Sequence, residues 1–236
     1  MIFMKKKQLF LLHFAGGSIY SFDFLEPFPV DFEMISIELP GRGKRIKEKL
    51  ITSYVDAIQD MYKQISNRLN GEDFIIYGHS LGAALALGIE DMLEKDNKFS
   101  QCVIVSGNAG PGIKREKNRS SLNRNDFITM LKELGGLPKE LLESEELLDF
   151  VLPILRADFK ILEGDFLIND IIIESPIIAI MGDEEKEINK INNWKKHTKS
   201  NFKSYVLKGN HFFIYNNVKE LVEIFRTSYH ENKSLI

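Results

Sequence analysis

Residues 74–87 place the tightest constraint on how this chain can fold. The apolar run Phe74-Ile75-Ile76-Tyr77 leads into Gly78-His79-Ser80-Leu81-Gly82 and directly on into Ala83-Ala84-Leu85-Ala86-Leu87. The first run favours a strand and the last a helix, with a single turn between them. Two glycines around a serine let the backbone reverse sharply without a Cβ clash. The serine is then forced into a strained, outward-facing position.

The rest of the chain repeats the same alternation. Strand-like runs fall at Gln8 to Phe14, Glu33 to Glu38, Asp73 to Tyr77, Gln101 to Val105, Pro176 to Met181 and Phe202 to Leu207. Helical spacing is read at Tyr54 to Leu69, Leu81 to Leu93 and Val218 to Ser228. Strands separated by helices predict a parallel sheet covered on both faces. Apolar residues fill the strand runs without alternating, as strands buried on both sides require. Between the fourth and fifth strands, residues 113–172 show no buried strand. They read instead as amphipathic helices at Arg124 to Leu134, Lys139 to Leu142 and Glu145 to Leu155. An insertion of this kind on a sheet is expected to form a helical lid.

G-x-S-x-G between a strand and a helix is the nucleophile-elbow pattern. The expected class is therefore α/β, an α/β-hydrolase fold: a mostly parallel central sheet flanked by helices, with a helical lid. The chain of 236 residues is expected to be a single domain over 1–236, the lid being a subregion of it.

Ser80 is the candidate nucleophile, and its hydroxyl needs a base. In this fold the chain order is Ser, acid, His. His211, in Gly209-Asn210-His211-Phe212-Phe213 after the sixth strand, stands where the base belongs. His79 is inside the elbow, His197 in a polar helical segment, His230 in the tail, and His13 at the end of the first strand. The acid should follow the fifth strand, where Gly182-Asp183-Glu184-Glu185 puts three carboxylates in a row. Asp183 has the commoner residue type and Glu185 the usual offset from the glycine, so both stay candidates. An acid after the fourth strand is ruled out by residue type, since Ser106-Gly107-Asn108 offers only Asn108. For the oxyanion, backbone N–H groups are expected from Leu81, directly after the nucleophile, and from Phe14-Ala15-Gly16-Gly17-Ser18, with Ala15 first and Gly16 next.

Composition closes off other classes. A net charge of −3 gives no basic field for nucleic acid or anionic lipid. The one cysteine, Cys102, lies in an apolar run and reads as a small buried hydrophobe in a reducing compartment. No signal peptide is read at the N-terminus and no run is long enough to span a bilayer, so a cytoplasmic location and no membrane partner are expected. The glycine-rich segments lack dinucleotide or phosphate-loop spacing, and the chemistry calls for no cofactor and no metal. A monomer is expected.

Across almost its whole length the sequence resembles the type II, stand-alone thioesterases of nonribosomal peptide and polyketide synthesis, which are related to medium-chain fatty-acyl thioesterases. The segments that carry the resemblance are Phe14-Ala15-Gly16-Gly17-Ser18, Pro40-Gly41-Arg42-Gly43 with Arg45, and Gly78-His79-Ser80-Leu81-Gly82-Ala83. Further along they are Ser106-Gly107 with Pro111, Leu134-Gly135-Gly136-Leu137-Pro138, Leu152-Pro153-Ile154-Leu155-Arg156-Ala157-Asp158, and Trp194 with Gly209-Asn210-His211-Phe212-Phe213. The family usually has an Asp-Pro pair in the acid loop. Here Glu185 holds the aspartate position, no proline follows, and the stretch to Trp194 is shortened. Asp165 stands where a tyrosine is common.

The resemblance implies hydrolysis of acyl or aminoacyl thioesters from the phosphopantetheine arm of an acyl or peptidyl carrier protein, as an editing step. The alternatives are a general carboxylesterase or lipase-like hydrolase, or an acyl-CoA or medium-chain fatty-acyl thioesterase. Carrier proteins are commonly acidic, so Lys44, Arg45, Lys47 and Lys49 form a candidate docking run beside the plainer reading of a solvated loop.

Overall fold

The computed structural model describes residues 6–28, 31–113, 118–135, 139–164 and 169–233. Six strands form one sheet: β1 (Gln8–Leu12), β2 (Glu33–Ile37), β3 (Phe74–His79), β4 (Val103–Ser106), β5 (Ile177–Gly182) and β6 (Phe202–Leu207). Their spatial order is β2-β1-β3-β4-β5-β6 and every pairing is parallel. "Mostly parallel" thus becomes entirely parallel among the described residues.

The continuous apolar runs have a simple cause. Alternate side chains leave each strand on opposite faces, and both faces are cores. Phe10, Leu12, Ile76, Val103, Val105 and Ala179 pack with helices α1 (Tyr54–Ser66) and α2 (Leu81–Lys95). Leu9, Leu11, Ile75, Tyr77, Ile104 and Ile180 pack with Leu221, Val222 and Phe225 of the closing helix α6 (Val218–Lys233). The expectation of strands buried on both faces fails at the edges: β2 and β6 carry exposed positions, Val206 being 55% exposed. An edge strand has only one neighbour and is covered less completely.

The insertion forms α3 (Arg124–Leu134), α4 (Lys139–Glu143) and α5 (Glu145–Leu162). Ser53, Asn123 and Ser144 cap α1, α3 and α5, each side-chain oxygen accepting from the backbone N–H three residues on. Helix α5 runs past Pro153 and well beyond the expected end at Leu155. Its later apolar residues justify the extension: Leu155 and Phe159 join Phe127 and Leu131 of α3 in a lid core, and Ile161 reaches the main core. Of the family-like lid segments, Gly136, Leu137 and Pro138 lie outside the described residues, as does Asp165. No helix among the described residues is long and apolar enough to cross a membrane.

Candidate active site

The elbow forms as its sequence requires. Ser80 sits at φ 55° and ψ −103°, between β3 and α2. A Cβ on Gly78 would lie 2.3 Å from the Gly82 carbonyl, and one on Gly82 would lie 2.1 Å from the Leu12 carbonyl oxygen. Both glycines are thus required by the close approach of α2 to β3 and β1. Ser80 N–H donates to Ser106 O (2.8 Å), and Asn108 Nδ2 donates to Ser80 O (3.1 Å). The asparagine found where a variant acid could have stood therefore ties the elbow to the end of β4.

His211 lies beyond β6, with Nε2 3.0 Å from Ser80 Oγ. Its Nδ1 lies 2.9 Å from Glu185 Oε2. A carboxylate accepts only, so Nδ1 carries the proton and Nε2 is free to accept from the Ser80 hydroxyl. The other oxygen, Glu185 Oε1, accepts from Gly182 N–H (2.9 Å), fixing the carboxylate. Asp183 is not brought to the imidazole. Its Oδ1 accepts from Gly209 N–H (2.8 Å) in the loop that carries His211. The two candidate acids therefore have different tasks: Glu185 holds the ring and Asp183 holds the backbone. The reason is directional. Asp183 follows β5 directly and faces the exposed side, whereas the chain turns back by Glu185, whose side chain is only 9% exposed.

The oxyanion candidates separate as well. Gly16 N–H donates to Asp158 Oδ2 at 2.7 Å and is therefore occupied. Ala15 N–H has no partner among the described residues. Leu81 N–H, in the first turn of α2, has no intrahelical acceptor. The N–H groups of Ala15 and Leu81, the first choices from the sequence, are thus both open.

Several residues here had no individual role assigned from the sequence. His79 is fully buried under His211, ring centroids 5.1 Å apart, with Nδ1 2.8 Å from Ser106 Oγ. Burial, and then the neighbouring His211, hold its pKa well below the usual value, so His79 is neutral. A Cβ on Gly107 would lie 2.5 Å from His79 Cε1 and 3.2 Å from His211 Cε1, so a glycine there makes room for both rings. Arg42 and Asp158, from two of the family-like segments, form a buried bidentate pair at 2.6 and 2.7 Å. Asp158 lies on α5, so this pair joins the lid to the catalytic frame. Trp194 is structural: its Nε1 donates to Asn108 O at 2.7 Å.

The candidate docking run is trimmed. Arg45 is engaged by Asp60 and Glu48, at 2.6 Å each, leaving Lys44, Lys47 and Lys49 exposed. Cys102 is buried. Among the described residues no three His, Cys, Asp or Glu side chains gather as a metal-ligand set.

A hydroxyl hydrogen-bonded to an imidazole that is itself held by a carboxylate is an arrangement for acyl transfer. Comparison with known proteins gives the same chemistry. A family profile described as a thioesterase domain matches residues 7–229. The gramicidin S biosynthesis protein GrsT of Aneurinibacillus migulanus is 31% identical over 223 residues, 92% of this chain and 87% of that protein. The probable anguibactin biosynthesis thioesterase AngT of Vibrio anguillarum is 32% identical over 226 residues, covering 92% and 89%. Among solved structures, the fold matches YbtT, a type II thioesterase from the yersiniabactin NRPS/PKS pathway. The TM-score is 0.87 at 24% identity, over 98% of this chain and 95% of that one.

Proposed function

We propose that this chain, which belongs to the thioesterase domain family, hydrolyses acyl or aminoacyl thioesters held on the phosphopantetheine arm of a carrier protein. The observation that carries the chemistry is the line Ser80 Oγ–His211 Nε2, His211 Nδ1–Glu185, at 3.0 and 2.9 Å. The carrier-bound substrate is supported by the biosynthetic assignments of GrsT, AngT and YbtT.

In this reading Ser80 Oγ attacks the thioester carbonyl carbon as its proton passes to His211 Nε2. The oxyanion of the tetrahedral intermediate faces the Ala15 and Leu81 N–H groups, which are already oriented and therefore need no reorganisation in the transition state. Collapse breaks the C–S bond, and His211 returns its proton to the departing sulfur. Water then takes the thiol's place, His211 removes its proton, and attack on the acyl-serine releases the free acid and restores the Ser80 hydroxyl. Glu185 keeps Nδ1 protonated throughout and offsets the charge on the imidazolium. No step requires a cofactor or metal.

The test is release of free acid from an acylated carrier protein, with an oxygen ester of the same acyl group run alongside. The expected outcome is a higher kcat/KM for the carrier thioester and its loss in Ser80→Ala. Activity surviving in Ser80→Ala would overturn the assignment of the nucleophile. Preference for the oxygen ester would favour a general esterase.

A further inference from the structure

The Ala15 N–H belongs to the Phe14–Ala15 peptide, so whatever fixes that peptide plane aims the donor. At its other end, the Phe14 carbonyl accepts two hydrogen bonds, from Gly17 N–H (2.9 Å) and from His13 Nδ1–H (2.8 Å). The His13 tautomer is forced: Leu39 N–H donates to Nε2 at 3.3 Å, so the ring proton is on Nδ1. The Gly17-to-Phe14 bond closes a β-turn with Gly16 in its third position at φ +76°, the backbone a type II turn demands there. Asp158 Oδ2 grips the Gly16 N–H of this turn while both its oxygens engage Arg42. Arg42 Nη1 in turn reaches Gly17 O at 3.4 Å.

His13 and Asp158 are fully buried and Arg42 nearly so. Arg42 Nε has no partner, so its charge depends on Asp158 for compensation. Burial and the adjacent Arg42 push the His13 pKa down to about 4, which keeps it a neutral donor. The Phe14 carbonyl, the Gly16 and Gly17 N–H groups and the Gly17 carbonyl are thus all held, while the Ala15 N–H has no partner among the described residues.

We propose that His13, Arg42 and Asp158 are positioning residues for the oxyanion: they fix the Phe14–Gly17 turn so that the Ala15 N–H points at the reacting carbonyl. None of the three touches substrate. The idea rests on Ser80 chemistry at this loop, not on the identity of the acyl carrier.

The test uses hydrolysis of p-nitrophenyl butyrate by the purified full chain, with a trifluoromethyl ketone as tetrahedral analogue. An active wild type that ignored acylated carrier protein would overturn the carrier reading and leave this experiment intact. His13→Phe removes the Nδ1 donor. His13→Asn retains an amide donor at the equivalent place. Both lose the acceptor for Leu39, so a purely structural role predicts equal effects. The expected result is a fall in kcat of about 10- to 100-fold in His13→Phe with KM within about twofold, and recovery to within about fivefold of wild type in His13→Asn. Analogue affinity should weaken in step with kcat. Asp158→Asn should match His13→Phe. If its unpaired Arg42 prevents folding, the double variant Arg42→Met/Asp158→Leu removes both charges together, a change that buried pairs often tolerate. It should fold and show the same kcat loss. Wild-type kcat in a folded His13→Phe or in the double variant, or equal losses in His13→Phe and His13→Asn, would overturn the proposal.

Discussion

The two sides of this active site are built on different principles. On the relay side, Ser80, Glu185 and His211 each sit just past the end of a strand, on β3, β5 and β6, and their supports are near at hand. Gly182 N–H holds Glu185 from three residues away, and Asp183 caps Gly209 in the facing loop. On the proposed oxyanion side the groups are backbone N–H donors, and beside the local bonds to the Phe14 carbonyl their support reaches far along the chain. Gly16 and Asp158 are 142 residues apart, and Arg42 and Asp158 are 116 apart. The relay side divides its tasks between two carboxylates, Glu185 on the ring and Asp183 on the backbone. On the oxyanion side one carboxylate serves both the turn and the arginine. A side chain at a strand end tolerates change in its loop. A backbone donor can only be aimed by its surroundings.

The largest effect that would sharpen this contrast lies in the acid loop. Glu185→Gln should lower kcat by about 10³-fold or more, because the imidazole loses the charge that stabilises its protonated form. Asp183→Asn should cost less than about tenfold, since it weakens one exposed hydrogen bond to a backbone that strand pairing already places. Steady-state kinetics on one thioester would decide it, and similar losses in the two variants would erase the division of labour.

Next in size is Gly107→Ala. The added methyl meets His79 and His211 at a φ of +61°, so it should destabilise the fold by about 1–3 kcal/mol and lower kcat about tenfold. Thermal unfolding and kcat on the same preparation measure both. Unchanged kcat would mean that the relay side needs no packing support beneath the ring.

The smallest effect is on stability alone. His13, with its pKa lowered to about 4 by burial and Arg42, binds fewer protons folded than unfolded between pH 4 and 6.5. Its contribution therefore rises with pH through that window and is lost as pH falls. Glu90, near the C-terminal end of α2, is raised to about 7 by burial despite hydrogen bonds from Ser100 and Ser175. It binds more protons folded, so its contribution is full below about pH 4.5 and is lost as pH rises through 7. The two slopes oppose each other. In urea unfolding from pH 4 to 7, Glu90→Gln should become more stable relative to wild type as pH rises. His13→Asn should show the reverse trend. Matching slopes in the two variants would contradict this account of their environments.

How much of this could be read in advance follows from the same contrast. The strand positions were legible because strands buried on both faces are apolar at every residue. The edges were not, because coverage depends on having a neighbour. Helix α5 reaches beyond the expected end at Leu155 because Phe159 and Ile161 are buried, which only the packing of the lid on the main core decides. Ser80 was legible from its flanking glycines, and His211 from its place after the last strand. Asp183 and Glu185 stayed tied because both are carboxylates in one loop, and only the direction of each side chain separates them.

The sequence by itself therefore determined the alternating architecture, the elbow at Ser80, the place of His211 after the last strand and the family. Each of these is written in local pattern, in chain order or in both. Tertiary structure alone decided that Glu185 faces the imidazole, that Ala15 rather than Gly16 keeps an open N–H, and that His13, Arg42 and Asp158 converge behind it. Those outcomes depend on hydrogen bonds of 2.6 to 2.9 Å made between segments with no periodicity in common. Such bonds exist only after the sheet has brought the segments together.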